Sequence, residues 1–194
     1  MKTTATIDIH SLYGEAALAG ATSGQAFLPK LIDATKEAPR DTLVILNFGK
    51  VDIVTASFFR SAFRAFRDYA RSTALVYPVL VNVNAATREE ITFFAEGSGD
   101  AFLIATLGKN GDLTSPRVLG RLDPKQAHTL QAIVQLGDAD AGQLRAAYPE
   151  QPPVSSAAWS NRLAVLAARG FIVETLVGRS KRFRPILKGL SYGP

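Results

Sequence analysis

The chain has 194 residues, of which 47% are hydrophobic and 20% charged, and its formal net charge is +5, as in an ordinary folded protein of one large or two small domains. It contains no cysteine, which excludes disulfides, zinc–thiolate sites and thiol catalysis. Asp8 interrupts the apolar N-terminus, and no apolar run approaches about 18 residues, so we expect a cytoplasmic protein with no signal peptide and no membrane contact.

The first 122 residues alternate between strand and helix patterns. The predicted elements are an edge strand over 4–9, a helix over 23–36, a buried strand over 42–48, a helix over 57–70, a buried strand over 74–83, a helix opened by a capping box over 87–90, and a hairpin of 101–107 with the residues from 113 onward. In the helix over 57–70, we expect one side to face the core and the other to face solvent. The core side carries Phe59, Phe63 and Phe66, and the solvent side carries Arg60, Arg64 and Arg67. This alternation predicts a layered α/β domain with a mixed sheet over residues 1–122.

One junction in this half points to a known family. A buried strand over 43–48 leads through a loop to a helix that begins at Ser57 and Phe58. Residues 5–107 resemble the STAS fold of anti-sigma-factor antagonists, and more closely the STAS-like domains of unknown function. In the antagonists, the loop reads Asp-Ser-Ser-Gly and a partner kinase phosphorylates its second serine. Ser57 matches that serine by position, whereas Thr55 stands in place of the aspartate and Phe58 in place of the glycine.

Two interpretations of Ser57 follow. Its hydroxyl can cap the helix by accepting a hydrogen bond from a backbone N–H of the first turn. Alternatively, Ser57, or less favourably Thr55, is a phosphorylation switch, because a phosphate at a helix N-terminus interacts favourably with the helix dipole and changes a partner surface.

Residues 123–194 carry a different pattern, with three helices followed by a hairpin. Asp123 and Pro124 are a helix start signal and Gly137 a stop, residues 138–148 fit a short second helix, and prolines mark the turn into the third. In that third helix Ser155 or Ser156 can cap the first turn, while Gly170 can adopt the left-handed conformation that ends a helix. Trp159 shares one face with Leu163 and Leu166, so it is either a core residue or a base-stacking group.

A cationic hairpin follows the third helix. Residues 171–177 fit a strand, residues 178–181 a turn, and residues from 182 onward the return strand. Four cations lie within six positions, namely Arg179, Lys181, Arg182 and Arg184. Residues 123–194 hold nine basic and five acidic residues, a net charge of +4, whereas the remainder of the chain holds thirteen and twelve. The cations are therefore either phosphate contacts or a solvated turn.

Residues 123–186 resemble a winged helix-turn-helix domain of the transcription-regulator type. The resemblance rests on the run from Trp159 to Val173, which is similar to the recognition helix and first wing strand of that class. It implies that the third helix enters a DNA major groove and that the wing contacts the DNA backbone. The predicted DNA-binding residues are Ser155, Ser156, Ala157, Ser160, Asn161, Arg162, Arg179, Lys181, Arg182 and Arg184. For Asn161 and Arg162, helix capping or packing is the alternative.

The sequence thus predicts a STAS-like domain over residues 1–122 and a winged-helix domain over residues 123–194. We expect a homodimeric bacterial transcription regulator that binds double-stranded DNA and senses a partner protein or small ligand. The alternative is a protein-interaction switch, in which the STAS-like face binds an anti-sigma-type kinase and the winged helix docks protein. The two histidines, His10 and His128, lie far apart, and no nucleotide or hydrolase motif is present, so we expect no enzyme activity, metal or cofactor.

Overall fold

The computed structural model describes residues 3–193 as a mixed α/β protein built around a six-stranded sheet. The strand order is β1-β3-β5-β6-β7-β10, with β1 (Thr3–Asp8), β3 (Leu43–Asn47), β5 (Tyr77–Val81), β6 (Ala101–Leu107), β7 (Leu113–Gly120) and β10 (Ser191–Tyr192). The first four of these run parallel, β7 is antiparallel to β6, and β10 is parallel to β7. The predicted α/β class with a mixed sheet is confirmed, and β1 lies at the predicted edge.

Two small sheets accompany the central one. β2 (Ala17–Leu18) pairs in parallel with β4 (Ile53–Val54). β8 (Ile172–Val177) and β9 (Ser180–Pro185) form an antiparallel hairpin, whose two turn residues are Gly178 and Arg179. The residues between β7 and this hairpin form three helices, as the sequence predicts.

Eight α-helical segments connect these strands. They are α1 (Ile9–Tyr13), α2 (Ala21–Thr35), α3 (Ala56–Phe59), α4 (Ala65–Tyr69), α5 (Ala85–Ser98), α6 (Pro124–Leu136), α7 (Ala141–Ala147) and α8 (Ser156–Ala168). Two π-helical turns, Arg60–Arg64 and Ala70–Ala74, join α3 to α4 and extend α4, so residues 56–74 form one continuous helix, here called the long helix. None of the helices within residues 3–193 is both long enough and apolar enough to cross a membrane.

Several helix ends lie where local signals place them. The Asp123 side chain accepts hydrogen bonds from the first turn of α6, and Pro124 is the first residue of that helix. Ser155 caps α8 by accepting from the backbone N–H of Ala158. Gly170, with φ of 82°, follows the end of α8. These predictions are confirmed. Each depends only on hydrogen bonds or backbone angles of residues within one helical turn, which the sequence specifies locally.

Two predicted helix starts are wrong. Thr55, and not Ser57, caps the long helix, because its side chain accepts a hydrogen bond from the N–H of Phe58. Helix α5 begins after Asn84 and not at a capping box over 87–90. The Asn84 carboxamide accepts from the N–H of Thr87 and also donates to the carbonyls of Val51 and Asp52, so tertiary contacts select this cap.

The two faces of the central sheet belong to two clusters of buried side chains. On one face the sheet packs against α2, the long helix and α5, through a core rich in phenylalanine. The other face contributes Leu43, Val79 and Leu103 to a second cluster, which continues into α6, α7, α8 and the β8–β9 hairpin. Trp159 of α8 is fully buried in this second cluster, so its predicted core role is confirmed.

Candidate functional sites

The first candidate site is the solvent side of α8. Trp159, Leu163 and Leu166 are fully buried, which turns the opposite side of the helix outward. The predicted contact residues on the first two turns are short and uncharged, and all are at least partly exposed, namely Ser155, Ser156, Ala157, Ser160 and Asn161. The structure therefore brings five of the six predicted α8 residues together on or beside one open surface.

Arg162, the sixth, makes the packing contact that the sequence left as an alternative. Its guanidinium donates to both carboxylate oxygens of Glu150, one bond measuring 3.2 Å, and its carbon lies 5.4 Å from the centre of the Trp159 ring. Only 11% of its side chain is exposed. The hydrogen bond from Arg162 holds the pKa of the Glu150 carboxyl below its usual value.

The four cations of the β8–β9 hairpin differ in their surroundings. Lys181 lies 2.7 Å from a Glu174 carboxylate oxygen, and Arg182 donates to Asp138 over 2.6 Å. Arg179 and Arg184 make no ion pair with any residue that the structure describes. Strand pairing sets Arg182 and Arg184 opposite Thr175 and Val173, on one side of the hairpin, whereas Lys181 lies opposite Leu176 on the other side.

The tip of this hairpin is also apolar. Leu176 and Val177 are 73% and 58% exposed, among the largest exposures of any large hydrophobic side chain that the structure describes. They lie next to the turn that carries Arg179, so the tip combines cations with apolar surface. The sequence pattern of this strand did not predict an apolar tip. The buried residues of β8 lie only in its first half, although its apolar residues continue to Val177.

The second candidate site is the N-terminus of the long helix. The hydroxyl oxygens of Thr55 and Ser57 lie 3.3 Å apart, and Ser57 is exposed. A carboxylate oxygen of Glu90 accepts a hydrogen bond of 2.8 Å from the backbone N–H of Ala56. Glu90 therefore already supplies a negative charge to this helix end, and a phosphate on Ser57 would have to share the end with it.

A groove of about 510 Å³ adjoins Ser57. It runs between the start of the long helix and the second half of α5, and its lining includes Arg60, Phe93 and Phe94. Phe93 is 76% exposed. Sequence reasoning missed Glu90 and Phe93, although Phe93 falls off the helical stripe that Ile91 and Ala95 define, and an off-stripe aromatic is a recognisable signal.

A buried ion cluster joins α8 to the rest of the molecule. Asp100, whose side chain is 10% exposed, accepts two hydrogen bonds from Arg67 over 2.8 and 3.0 Å and one from Arg169 over 3.2 Å. Burial raises the pKa of the Asp100 carboxyl, but the hydrogen bonds and charge of Arg67 outweigh that effect, so the pKa lies below its usual value. The predicted solvent-facing position of Arg67 is wrong, because Asp100 draws its side chain inward.

Arg71 makes a second contact between the same elements. Its guanidinium donates to the carbonyls of Val76 and of Ala167 in α8, each over 3.2 Å, and lies 3.7 Å from the centre of the Tyr77 ring. The C-terminal end of α8 is thus attached to the long helix and the central sheet, while its N-terminal end faces solvent.

Comparison with known proteins adds no identification. No protein-family model matches the chain, and no curated protein matches it by sequence. Among the described residues, no group of three or more His, Cys, Asp or Glu side chains is placed to hold a metal ion.

Proposed function

We propose that the protein is a cytoplasmic DNA-binding transcription regulator, in which α8 and the β8–β9 hairpin act as the recognition helix and wing of a winged-helix module. The observation that carries the proposal is the pairing of an open, small-residue face on α8 with two unpaired hairpin arginines. Small and polar side chains allow a helix to enter the major groove, and arginines neutralise flanking phosphates. The STAS-like half is the sensing module, and a homodimer would read two half-sites.

The different surroundings of the hairpin cations indicate which of them should be substituted to test DNA binding. Arg179 and Arg184 make no ion pair in the described chain, so both are available to phosphate, whereas Arg182 is held by Asp138. We expect Arg179→Gln/Arg184→Gln to weaken binding strongly. The matched control is Lys30→Gln/Arg40→Gln, which removes the same charge from exposed sites in the N-terminal half.

The measurement is fluorescence anisotropy with mixed-sequence duplex DNA between about 50 and 200 mM salt. We expect steep loss of affinity with salt in the wild type, and a salt slope about two units shallower in the hairpin variant but not in the control. Absence of binding at the low-salt end, or equal affinity in the wild type and the hairpin variant, would reject the proposed mechanism.

A second candidate is a protein-interaction switch, and exposed apolar surface favours it. Phe93 beside Ser57, and Leu176 with Val177 at the hairpin tip, are large side chains left in water. A photo-crosslinking amino acid at position 97, in the groove beside Phe93, or at position 177, next to Leu176, would capture a bound protein in cells. This candidate requires a crosslinked partner that disappears in Phe93→Ser or Leu176→Ser, together with no DNA affinity in the anisotropy experiment.

A further inference from the structure

A second cavity, of about 230 Å³, lies where the parallel part of the central sheet meets the antiparallel strand β7. Its polar lining comes from the end of β5, the start of α5, and strands β6 and β7, and consists of Asn82, Arg88, Thr106, Ser115 and Arg117. Two of these are arginines, and no aspartate or glutamate of the described chain lines the cavity. The carboxyl edge of parallel strands is where open α/β sheets bind ligands.

The backbone around this cavity departs from regular geometry at two points. Asn82 and Ser115 are two of four described non-glycine residues with positive φ, at 57° and 49°. The pairing of β6 with β7 is irregular between Ile104 and Thr106, where β7 has one more residue than β6. Such strain and bulges persist where surrounding contacts enforce them, and they are concentrated at binding sites.

Hydrogen bonds hold this irregular edge in place. The Asn82 carboxamide donates to the Asn47 side chain over 3.0 Å and accepts from the N–H of Leu107 over 3.2 Å, so it ties the ends of β3, β5 and β6 together. Arg88 donates to the Val83 carbonyl over 3.2 Å, which leaves most of its donors unused. Neither Arg88 nor Arg117 makes an ion pair with a residue that the structure describes.

We infer that this cavity binds a small anion that carries a phosphate or carboxylate group. Two unpaired guanidinium groups beside hydroxyl and carboxamide donors match the oxygens of such a group, since arginine recognises both through paired hydrogen bonds. The volume is below the roughly 300 to 1,000 Å³ of pockets for drug-sized ligands, which favours a compact molecule. The suggestion that this cavity is the ligand site of a sensing half rests on the proposed function. Anion binding itself does not require DNA binding.

The test is isothermal titration calorimetry of the full chain with inorganic phosphate, pyrophosphate and citrate. Comparing the first two probes with citrate distinguishes a phosphate site from a carboxylate site. We expect at least one of the three to bind, and Arg88→Gln/Arg117→Gln to weaken that binding about tenfold or more. The control Lys30→Gln/Arg40→Gln removes two cations outside the cavity and should bind as the wild type does. No binding of any probe, or equal loss in both variants, would overturn the inference.

Chemical-shift mapping of the wild type gives a second readout that does not depend on variant folding. The bound anion should shift the backbone amides of Asn82, Thr106 and Ser115, and shifts confined to other regions would overturn the site. DNA anisotropy on the same samples separates the two proposals. Anion binding without DNA affinity would reject the proposed DNA-binding function but not the anion site. DNA affinity without anion binding would reject the anion site but not the proposed function.

Discussion

The two faces of the six-stranded sheet are buried by helices that come from different parts of the chain. The first is covered by α2, the long helix and α5, which connect successive parallel strands, and its core contains Phe27, Phe58 and Phe63. The second is covered by helices from the last third of the chain, and its buried side chains include Trp159 of α8 and Phe171, which lies just before β8. A helix that connects two neighbouring strands is positioned by the strands on either side of it. The helices of the second set do not connect strands of the parallel part of the sheet, so their position depends on contacts with residues distant in sequence.

Ion pairs and hydrogen bonds attach this second set of helices to the first half of the chain. The cluster of Arg67, Asp100 and Arg169 and the contact of Arg71 with Ala167 both join α8 to elements of the first half. Each such bond has strict geometry, so together they fix the orientation of α8 on the sheet more closely than apolar contact alone. If α8 reads DNA, this orientation is what a ligand or partner of the sensing half could alter.

The largest expected effect tests whether the two faces unfold together. Trp159→Ala and Phe63→Ala each remove a buried aromatic ring, one per face, and should each lower the free energy of unfolding by about 3 to 5 kcal/mol. Because the same strands contribute to both clusters, we expect one cooperative transition in both variants. The number of transitions is measured by urea denaturation, followed by far-UV circular dichroism and tryptophan fluorescence. For Trp159→Ala, circular dichroism alone is used.

The controls are Val165→Ala on α8 and Phe93→Ala on α5, since these side chains are 42% and 76% exposed. Both should change stability by less than about 0.5 kcal/mol. Two separate transitions, with Trp159→Ala and Phe63→Ala each shifting a different one, would mean that residues 1–122 and 123–194 are independent units.

The next effect concerns the ion cluster that fastens α8. Asp100→Asn removes the carboxylate that Arg67 and Arg169 share. Arg67 keeps its ion pair with Asp68, whereas Arg169 has no other ion pair among the described residues, and the two arginine side chains are only 13% and 19% exposed. Removing one partner of a buried ion pair costs several kcal/mol, so we expect a loss of about 3 kcal/mol at pH 7. Asp112→Asn, at an exposed turn position, is the control and should be neutral.

This variant also has a pH signature. The folded pKa of Asp100 is lower than its ordinary value of 3.8, so its stabilisation is present above that value and is lost as the pH falls through the folded pKa. The stability difference between wild type and Asp100→Asn should therefore shrink as the pH falls below about 4. A difference that stayed constant down to the acid limit would show that the carboxylate charge is not responsible.

A smaller effect distinguishes packing from DNA contact at Arg162. Its ion pair with Glu150 and its position over Trp159 predict that Arg162→Gln lowers the free energy of unfolding by about 2 kcal/mol. Asn161→Ala, at the exposed neighbouring position, should leave stability unchanged and weaken DNA binding instead. Unfolding and anisotropy measured on both variants would refute this assignment if Arg162→Gln weakened DNA binding without loss of stability.

What could be predicted from sequence was local. Asp123, Ser155 and Gly170 mark helix ends because their hydrogen bonds or backbone angles involve neighbours along the chain. Phe63 and Trp159 were placed in the core by helical spacing, which a single helix already determines. The α/β alternation likewise reports the order of elements without reporting their contacts.

What could not be predicted depends on distant partners. Thr55 caps the long helix in place of Ser57 and also accepts from the N–H of Gly20, 35 residues away. Asp100 gathers two arginines from positions 33 and 69 residues distant, and Glu90 reaches the backbone of Ala56. Candidate site residues were therefore found where they share one helix or hairpin, and missed where two elements meet.

The smallest expected effect concerns Lys181, which pairs with Glu174 on the β8–β9 hairpin. Both side chains are substantially exposed, at 58% and 30%, so the pair contributes little to stability and Lys181→Gln should cost less than about 0.5 kcal/mol. A cation held so weakly can exchange its carboxylate for a DNA phosphate at little cost. Lys181→Gln should therefore reduce the salt slope of DNA binding by about one unit while the unfolding curve stays in place. An unchanged slope would mean that Glu174 keeps Lys181 and that only Arg179 and Arg184 contact the backbone, which would also restrict the DNA-facing side of the hairpin to its turn and the Arg184 side.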